Sequence, residues 1–382
     1  MTRDIALYIH VPFCRRKCPY CSFVSYGDRE ADIPRYLSVL KEELARRAGG
    51  EHIRSLYLGG GTPSLLSVKD IGELISTIRW LFTVDEAAEI TIEANPGTID
   101  QAYLTSSRGL GVNRLSLGVQ SLDDRELALL GRIHTAAGAR DAVRYVRGAG
   151  FDNFSIDLIY GLPGQTLADW QRTLEAAIAM RPEHLSLYAL TLEGETPMWR
   201  AVKEGALPGP NPDVSADHYE LAEDCLAAAD YRHYEISNWA LAGRECRHNL
   251  TYWRNQPYLG VGVAAHSSLA GHRLANTRSL DEYLAGFSRE ASPVPELDEE
   301  IGPELALAET VILGLRLDEG IAPDDIHRRF GIDIMVHYQQ QVAEMVDAGL
   351  LEKAGGYIRL TRRGRLLSNE VFWRLLPDNS IE

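Results

Sequence analysis

The sequence predicts an α/β protein: a partial, TIM-like (β/α)6 barrel followed by a mainly helical, winged-helix-like C-terminal domain. Three observations carry this. Six short apolar runs alternate with helical patterns over residues 1–235. Several of those runs end at glycines, where a parallel strand passes into a loop. Beyond a Pro-rich break at 292–295 the pattern turns helical, with one short strand.

The elements follow in order. Leu7–Val11 reads as a strand and Ile33–Arg47 as an amphipathic helix. Ser55–Leu58 is the next strand, ending in Gly59-Gly60-Gly61, and Val68–Leu81 is helical. Glu89–Glu93 and Arg114–Val119 are strands, and Ala136–Ala149 is a helix closed by Gly150. Asn153–Tyr160 is a strand, Leu167–Met180 a helix and His184–Leu190 the sixth strand. A Pro/Gly-rich stretch, 207–212, interrupts the alternation. Helices are expected over Glu304–Leu315, Pro323–Phe330, Met335–Ala348 and Thr361–Leu375, with a strand at Tyr357–Leu360. The chain divides into a barrel (1–235), a linking region (236–300) and a C-terminal domain (301–382), close to the two domains its length suggests. Catalytic and binding groups are expected at the C-terminal ends of the barrel strands.

The chain has 382 residues, 45% of them apolar, and a formal net charge of −15. Such an acidic surface repels phosphate backbones. Arg359, Arg362, Arg363 and Arg365 form a basic cluster, but residues 303–382 hold 13 acidic against 9 basic residues, so no nucleic-acid partner is expected. The N-terminus shows no apolar signal core. No run approaches the ~20 apolar residues of a membrane span. A soluble, cytoplasmic protein is expected.

Five cysteines occur, and Cys14, Cys18 and Cys21 fall within eight residues directly after a strand. An odd count with one tight cluster argues against a disulfide framework. The spacing C-x3-C-x2-C lets a loop wrap three thiolates around one inorganic cluster, with Arg15, Arg16 and Lys17 expected to favour thiolate. A zinc site would want a fourth ligand. His10, on the strand, is poorly placed to supply one.

This spacing, with Tyr20 before the last cysteine, resembles the signature of the radical S-adenosylmethionine superfamily. Tyr8-Ile9-His10-Val11-Pro12-Phe13-Cys14 resembles its HemN/HemW group, the oxygen-independent coproporphyrinogen oxidases and their relatives. The resemblance runs over nearly the whole chain. It implies a radical-SAM barrel carrying a [4Fe–4S] cluster on Cys14, Cys18 and Cys21, with one iron left for S-adenosylmethionine. It also implies contacts to that cofactor from Tyr8, Tyr20, Gly60, Gly61, Thr62, Glu93, Gln120, Arg132, Asp157 and Ala189. The glycine turn would admit the methionine amino group closely, and Arg132 would suit its carboxylate.

Three features separate the branches of this group. The oxidase branch has a further cysteine two residues after the third, where this chain has Phe23. It also has an N-terminal extension, whereas seven residues precede Tyr8 here. His248-Asn249-Leu250-Thr251-Tyr252-Trp253 matches H-N-x-x-Y-W, the mark of the HemW branch. The resemblance to that branch implies a heme chaperone without coproporphyrinogen dehydrogenase activity. Such a protein would deliver heme to acceptor hemoproteins, respiratory and membrane-associated ones among them. His248 and Cys246 are candidate heme ligands, since a neutral imidazole suits heme iron. The alternative is packing of the hexapeptide under the barrel. Homodimerisation stays open, and so does a radical enzyme acting on a tetrapyrrole.

Overall fold

The computed structural model describes residues 3–286 and 295–377. The break expected at 292–295 lies, Pro295 apart, outside the described residues. Strand β1 (Asp4–Val11) is buried at nearly every position, as a parallel strand covered on both faces must be. Two short strands, β2 (Phe13–Cys14) and β3 (Tyr26–Gly27), pair in parallel and pinch the cysteine loop at its base. β4 (His52–Gly60), β5 (Thr83–Ala94), β6 (Arg114–Gln120), β7 (Phe154–Tyr160) and β8 (His184–Ala189) then add to β1 side by side, all parallel. These are the six strands expected from the sequence.

The helices between them start where side chains satisfy free backbone N–H groups. Ser67 and Thr166 form reciprocal capping boxes with Asp70 and Asp169. The crossover helices bury Leu74, Ile78, Ala142, Val146 and Trp170 in one core beneath the sheet.

Residues 232–300 add further strands to this sheet. β9 (Arg232–Glu235) and β10 (Asn238–Ala240) extend the sheet antiparallel beyond β8. β11 (Tyr258–Val261) pairs in parallel with the free side of β1. β12 (His266–Leu269), β13 (His272–Ala275) and β14 (Leu297–Glu300) follow antiparallel, giving a twelve-stranded sheet among the described residues. The sequence missed these strands because each is four residues or fewer and alternates weakly.

A buried carboxylate fastens this extension to the barrel. Glu43 Oε2 accepts from Gly262 N (2.9 Å) and from the Tyr283 hydroxyl (2.6 Å), and Oε1 accepts from Asn276 Nδ2 (2.8 Å). Arg47 lies 3.6 Å away, and burial pushes the Glu43 carboxyl above its usual range.

The C-terminal unit has its own core, built on Leu307, Val311, Ile326, Val342, Met345 and Ile358. The helix expected over Met335–Ala348 is broken near Tyr338, and that over Thr361–Leu375 is split at Leu367. β15 (Leu351–Ala354) and β16 (Tyr357–Leu360) form its hairpin. Arg362 and Arg365 of the basic cluster pair with Glu223 of the barrel at 2.9 and 2.7 Å, and Arg359 pairs with Glu352. These charges are matched within the fold. No helix among the described residues is long and apolar enough to cross a membrane.

Removing Glu43 would take the acceptor from three donors and from part of an arginine in the core. Glu43→Ala is therefore expected to cost about 3–5 kcal/mol in urea unfolding. Arg54→Ala, at an exposed pair with Asp4 and Asp85, is expected to cost far less, since water screens that pair. Equal losses would contradict the fastening role.

Candidate functional site

The C-terminal ends of the parallel strands surround a cavity of about 500 Å³. Of the residues picked out from the sequence, Cys14, Cys18, Tyr20, Cys21, Gly60, Gly61, Thr62, Glu93, Gln120, Arg132, Asp157 and Ala189 all border it. Tyr8, Cys246 and His248 do not.

The cysteine loop is held by backbone geometry. Gly61 N donates to Val11 O (2.9 Å) and Tyr26 N to Pro12 O (2.7 Å). A Cβ on Gly61 would stand 2.7 Å from Phe13 O and 2.9 Å from the Pro12 carbonyl carbon. Gly60 has φ of 112°, and a Cβ there would meet the His10 ring at 2.5 Å. The glycine turn is thus required first by the loop lying on it. His10, passed over as a metal ligand, is buried and braces the returning limb. Its Nε2–H donates to Val24 O (2.9 Å), while Tyr8 OH donates to Nδ1 (3.1 Å). Burial holds the His10 pKa down at about 4, so the ring is neutral. Tyr8 therefore acts on the loop through His10.

All three thiols are free and partly exposed. Burial pushes the Cys14 and Cys21 thiols up, so the basic residues of the loop do not dominate as expected. Arg15 and Lys17 instead donate to the carbonyls of Gly97 and Phe23. Two sulfurs receive donors from the cavity wall. Thr62 Oγ1 reaches Cys14 Sγ at 3.6 Å, and Arg132 Nη1 reaches Cys18 Sγ at 3.3 Å. Asn95, which the sequence reading left without a role, links them: its Nδ2 donates to Thr62 Oγ1 (2.9 Å) and its Oδ1 accepts from Arg132 Nη2. That Nη2 also donates to Gly118 O (2.6 Å), and the Arg132 Nε is buried without a partner. The arginine is committed to the loop by three of its five N–H groups, and its Nε–H is left over.

Among the described residues no three His, Cys, Asp or Glu side chains converge as ligands of a single metal ion. The donor set is three free thiols of one pinched loop, two of them already facing N–H or O–H donors. Those donors suit sulfurs that carry negative charge, as iron–sulfur ligands do. The residues fit a cluster in this sense.

Deeper in, Glu93 accepts from Tyr57 OH (2.9 Å) and Gly60 N (3.0 Å); burial raises its carboxyl to about 7. Asp157 accepts from Ser116 (2.8 Å) and Ser155 (2.9 Å), and burial raises it too. Ile159, Tyr188, Ala189 and Leu190 line an apolar side, and Gln120 sits in the left-handed region at φ 70°. One wall can therefore accept hydrogen bonds from hydroxyl or amino groups, and another can cover a flat ring.

The hexapeptide takes the place of a floor. Helix Arg247–Trp253 starts at Cys246 and enters the barrel from below. Glu89 accepts from the backbone N–H groups of Arg247 (3.1 Å) and His248 (3.0 Å), a carboxylate at a helix N-terminus. His248 is 1% exposed and neutral, burial holding its pKa down at about 3. Both of its nitrogens are engaged, with Ser55 Oγ and Tyr252 OH at 2.9 Å, and its ring stacks on Tyr57. Cys246 is fully buried, 3.5 Å from Glu89. His248 and Cys246, the candidate heme ligands, are thus both buried and hydrogen-bonded within the protein, away from the cavity. Only Asn249 of the hexapeptide borders the cavity.

Comparison with known proteins agrees with this arrangement. Residues 8–177 match the Radical SAM superfamily and residues 302–367 the HemN C-terminal domain. The chain is 36% identical to the heme chaperone HemW of Lactococcus lactis over 97% of both chains. It is 33% identical to that of Bacillus subtilis, over 97% of this chain and 99% of the other. The solved structure of coproporphyrinogen III oxidase (HemN) from Escherichia coli superposes with a TM-score of 0.86 at 25% identity, over 98% of this chain and 90% of that one. Sequence, fold and site agree that the chain belongs to the HemW family of the radical SAM superfamily.

Proposed function

We propose that the chain is a heme chaperone that carries a [4Fe–4S] cluster with S-adenosylmethionine and delivers heme to acceptor hemoproteins in the cytoplasm. The observation that carries it is the likeness to heme chaperones over nearly the whole length of both chains. The cavity supports the cofactor part. Cys14, Cys18 and Cys21 would hold the cluster, and Thr62 and Arg132 would hydrogen-bond two of its ligand sulfurs. Glu93 and Asp157 would accept from the amino and hydroxyl groups of S-adenosylmethionine, while Ile159, Tyr188 and Ala189 cover its ring. When bound, such a cluster supplies one electron at a time to the sulfonium.

The rim of the cavity favours the chaperone over a coproporphyrinogen dehydrogenase. Phe23 borders it and is 68% exposed, at the position where the oxidase branch has its further cysteine. Hemin titration is expected to give a saturable Soret band, and the loaded protein is expected to pass heme to an added apo-hemoprotein. Coproporphyrinogen III with S-adenosylmethionine and reductant is expected to stay unconverted; steady turnover would favour the dehydrogenase.

The floor role of the hexapeptide gives a second outcome. His248→Ala should lower stability by roughly 2–3 kcal/mol, through the lost contacts and two unmatched hydroxyls. It should leave the hemin spectrum of the folded protein unchanged. A lost Soret band at unchanged stability would make His248 a ligand instead.

A further inference from the structure

Below the cavity, one hydrogen-bonded chain leads from Asp157 down to the floor. The alternation of β7 and β8 places Ser155 beneath Asp157 and His184 beneath Ser186, and Ser155 and His184 are neighbours in the sheet register. Both are 0% exposed. Ser155 Oγ lies 2.9 Å from Asp157 Oδ1 and 2.9 Å from His184 Nδ1, and His184 Nε2 lies 2.8 Å from the Tyr234 hydroxyl. The Tyr234 oxygen accepts from Cys246 N at 3.4 Å, at the start of the floor helix. Of these five residues Asp157 alone borders the cavity.

The donors of this chain follow from its ends. An ionised Asp157 only accepts, so the single hydrogen of Ser155 points to it. The contact between Ser155 Oγ and His184 Nδ1 must then be carried by an Nδ1–H. Burial keeps the His184 ring neutral, so its Nε2 is bare and accepts from the Tyr234 hydroxyl. Ser186 Oγ, 3.1 Å from Ser155 Oγ, can occupy the remaining lone pair of that oxygen. The other tautomer, with its hydrogen on Nε2, would need the Ser155 hydrogen on Nδ1 and would draw it off Asp157.

We propose that His184 is a positioning residue for the cofactor site: its Nδ1–H turns the Ser155 hydrogen onto Asp157 and so holds that carboxylate ready for a ribose hydroxyl of S-adenosylmethionine. This rests on the reading that Asp157 contacts the cofactor. Ser155 and Ser116 both reach Oδ1, at 2.9 and 3.1 Å, and Ser116 also lies 2.8 Å from Oδ2. A carboxylate pinned by two hydroxyls keeps one orientation toward the cavity, which reduces the ordering that binding must bring about. Hydrogen bonds aligned in a chain also polarise one another, so the loss of His184 reaches Asp157 through Ser155.

The test is equilibrium dialysis of the cluster-loaded protein against S-adenosylmethionine and against its 2′,3′-dideoxy analogue, which lacks the ribose hydroxyls. His184→Phe keeps a ring of similar size and removes both nitrogens. It should weaken S-adenosylmethionine about fivefold and leave the analogue unchanged, since the natural ligand alone uses Asp157. His184→Asn, whose amide N–H can stand where the Nδ1–H stands, should restore most of the loss. Ser155→Ala, which removes the relayed hydroxyl with little change of volume, should show the same ligand-selective loss as His184→Phe. Equal weakening of both ligands, unchanged affinity for both, or no recovery in His184→Asn would overturn the proposal. Asp157→Asn separates the two readings. If it leaves the native preference for S-adenosylmethionine over the analogue intact, Asp157 does not meet a ribose hydroxyl and the underlying reading falls. If it abolishes that preference while His184→Phe keeps it, the His184 inference alone falls.

Discussion

Two loops lie against each other with no side chain between them, and the rest of the site is arranged around that contact. Gly61 abuts the backbone of Pro12 and Phe13 at a distance any Cβ would violate. The contact sets the cysteine loop at the open end of the sheet, where β2 and β3 pinch its base and His10 holds its returning limb. Three thiols can then face one cavity although they sit on an irregular segment. A loop ordered in this way is fixed before any ligand arrives, which reduces the entropy that binding must overcome.

The opposite end of the barrel is closed by a short helix whose polar groups are nearly all matched inside the protein. Glu89 receives its first N–H groups, Ser55 and Tyr252 take up His248, and Arg316 lies over the Trp253 ring at 4.3 Å, tying the floor to the C-terminal unit. Such a floor keeps water from entering beneath the cofactor site. It also raises the consequence of each charge placed there, because Coulomb interactions strengthen as the local dielectric falls. Glu93 and Asp157 share this interior. Hydroxyls and a backbone N–H group stabilise the two acids.

Much of this was legible in the sequence, for identifiable reasons. Strands buried on both faces read as apolar runs, and four of the helices between them as amphipathic patterns, so the six barrel strands were found; the short helix Gln101–Gly109, with few buried side chains, was not. The cofactor-site residues fall at strand ends, where order along the chain becomes adjacency in space, and twelve of them border one cavity. What was not legible depends on long-range partners. The extension β9–β14 consists of short strands ordered by pairing with β1 and β8 and by Glu43. His248 looked like a free imidazole in sequence, but its partners Ser55 and Tyr57 lie almost two hundred residues away. His184 left a signal that could have been read: a histidine on the same face of a strand as Ser186 and Tyr188.

The central claim is that the cysteine loop holds a cluster with one corner left open to S-adenosylmethionine. Electron paramagnetic resonance of the anaerobically reconstituted, reduced protein tests it most directly. The account predicts about four irons per chain and a [4Fe–4S]+ signal whose g values shift when S-adenosylmethionine is added. A signal indifferent to S-adenosylmethionine, or one that persists when Cys14, Cys18 and Cys21 are all replaced by alanine, would contradict it.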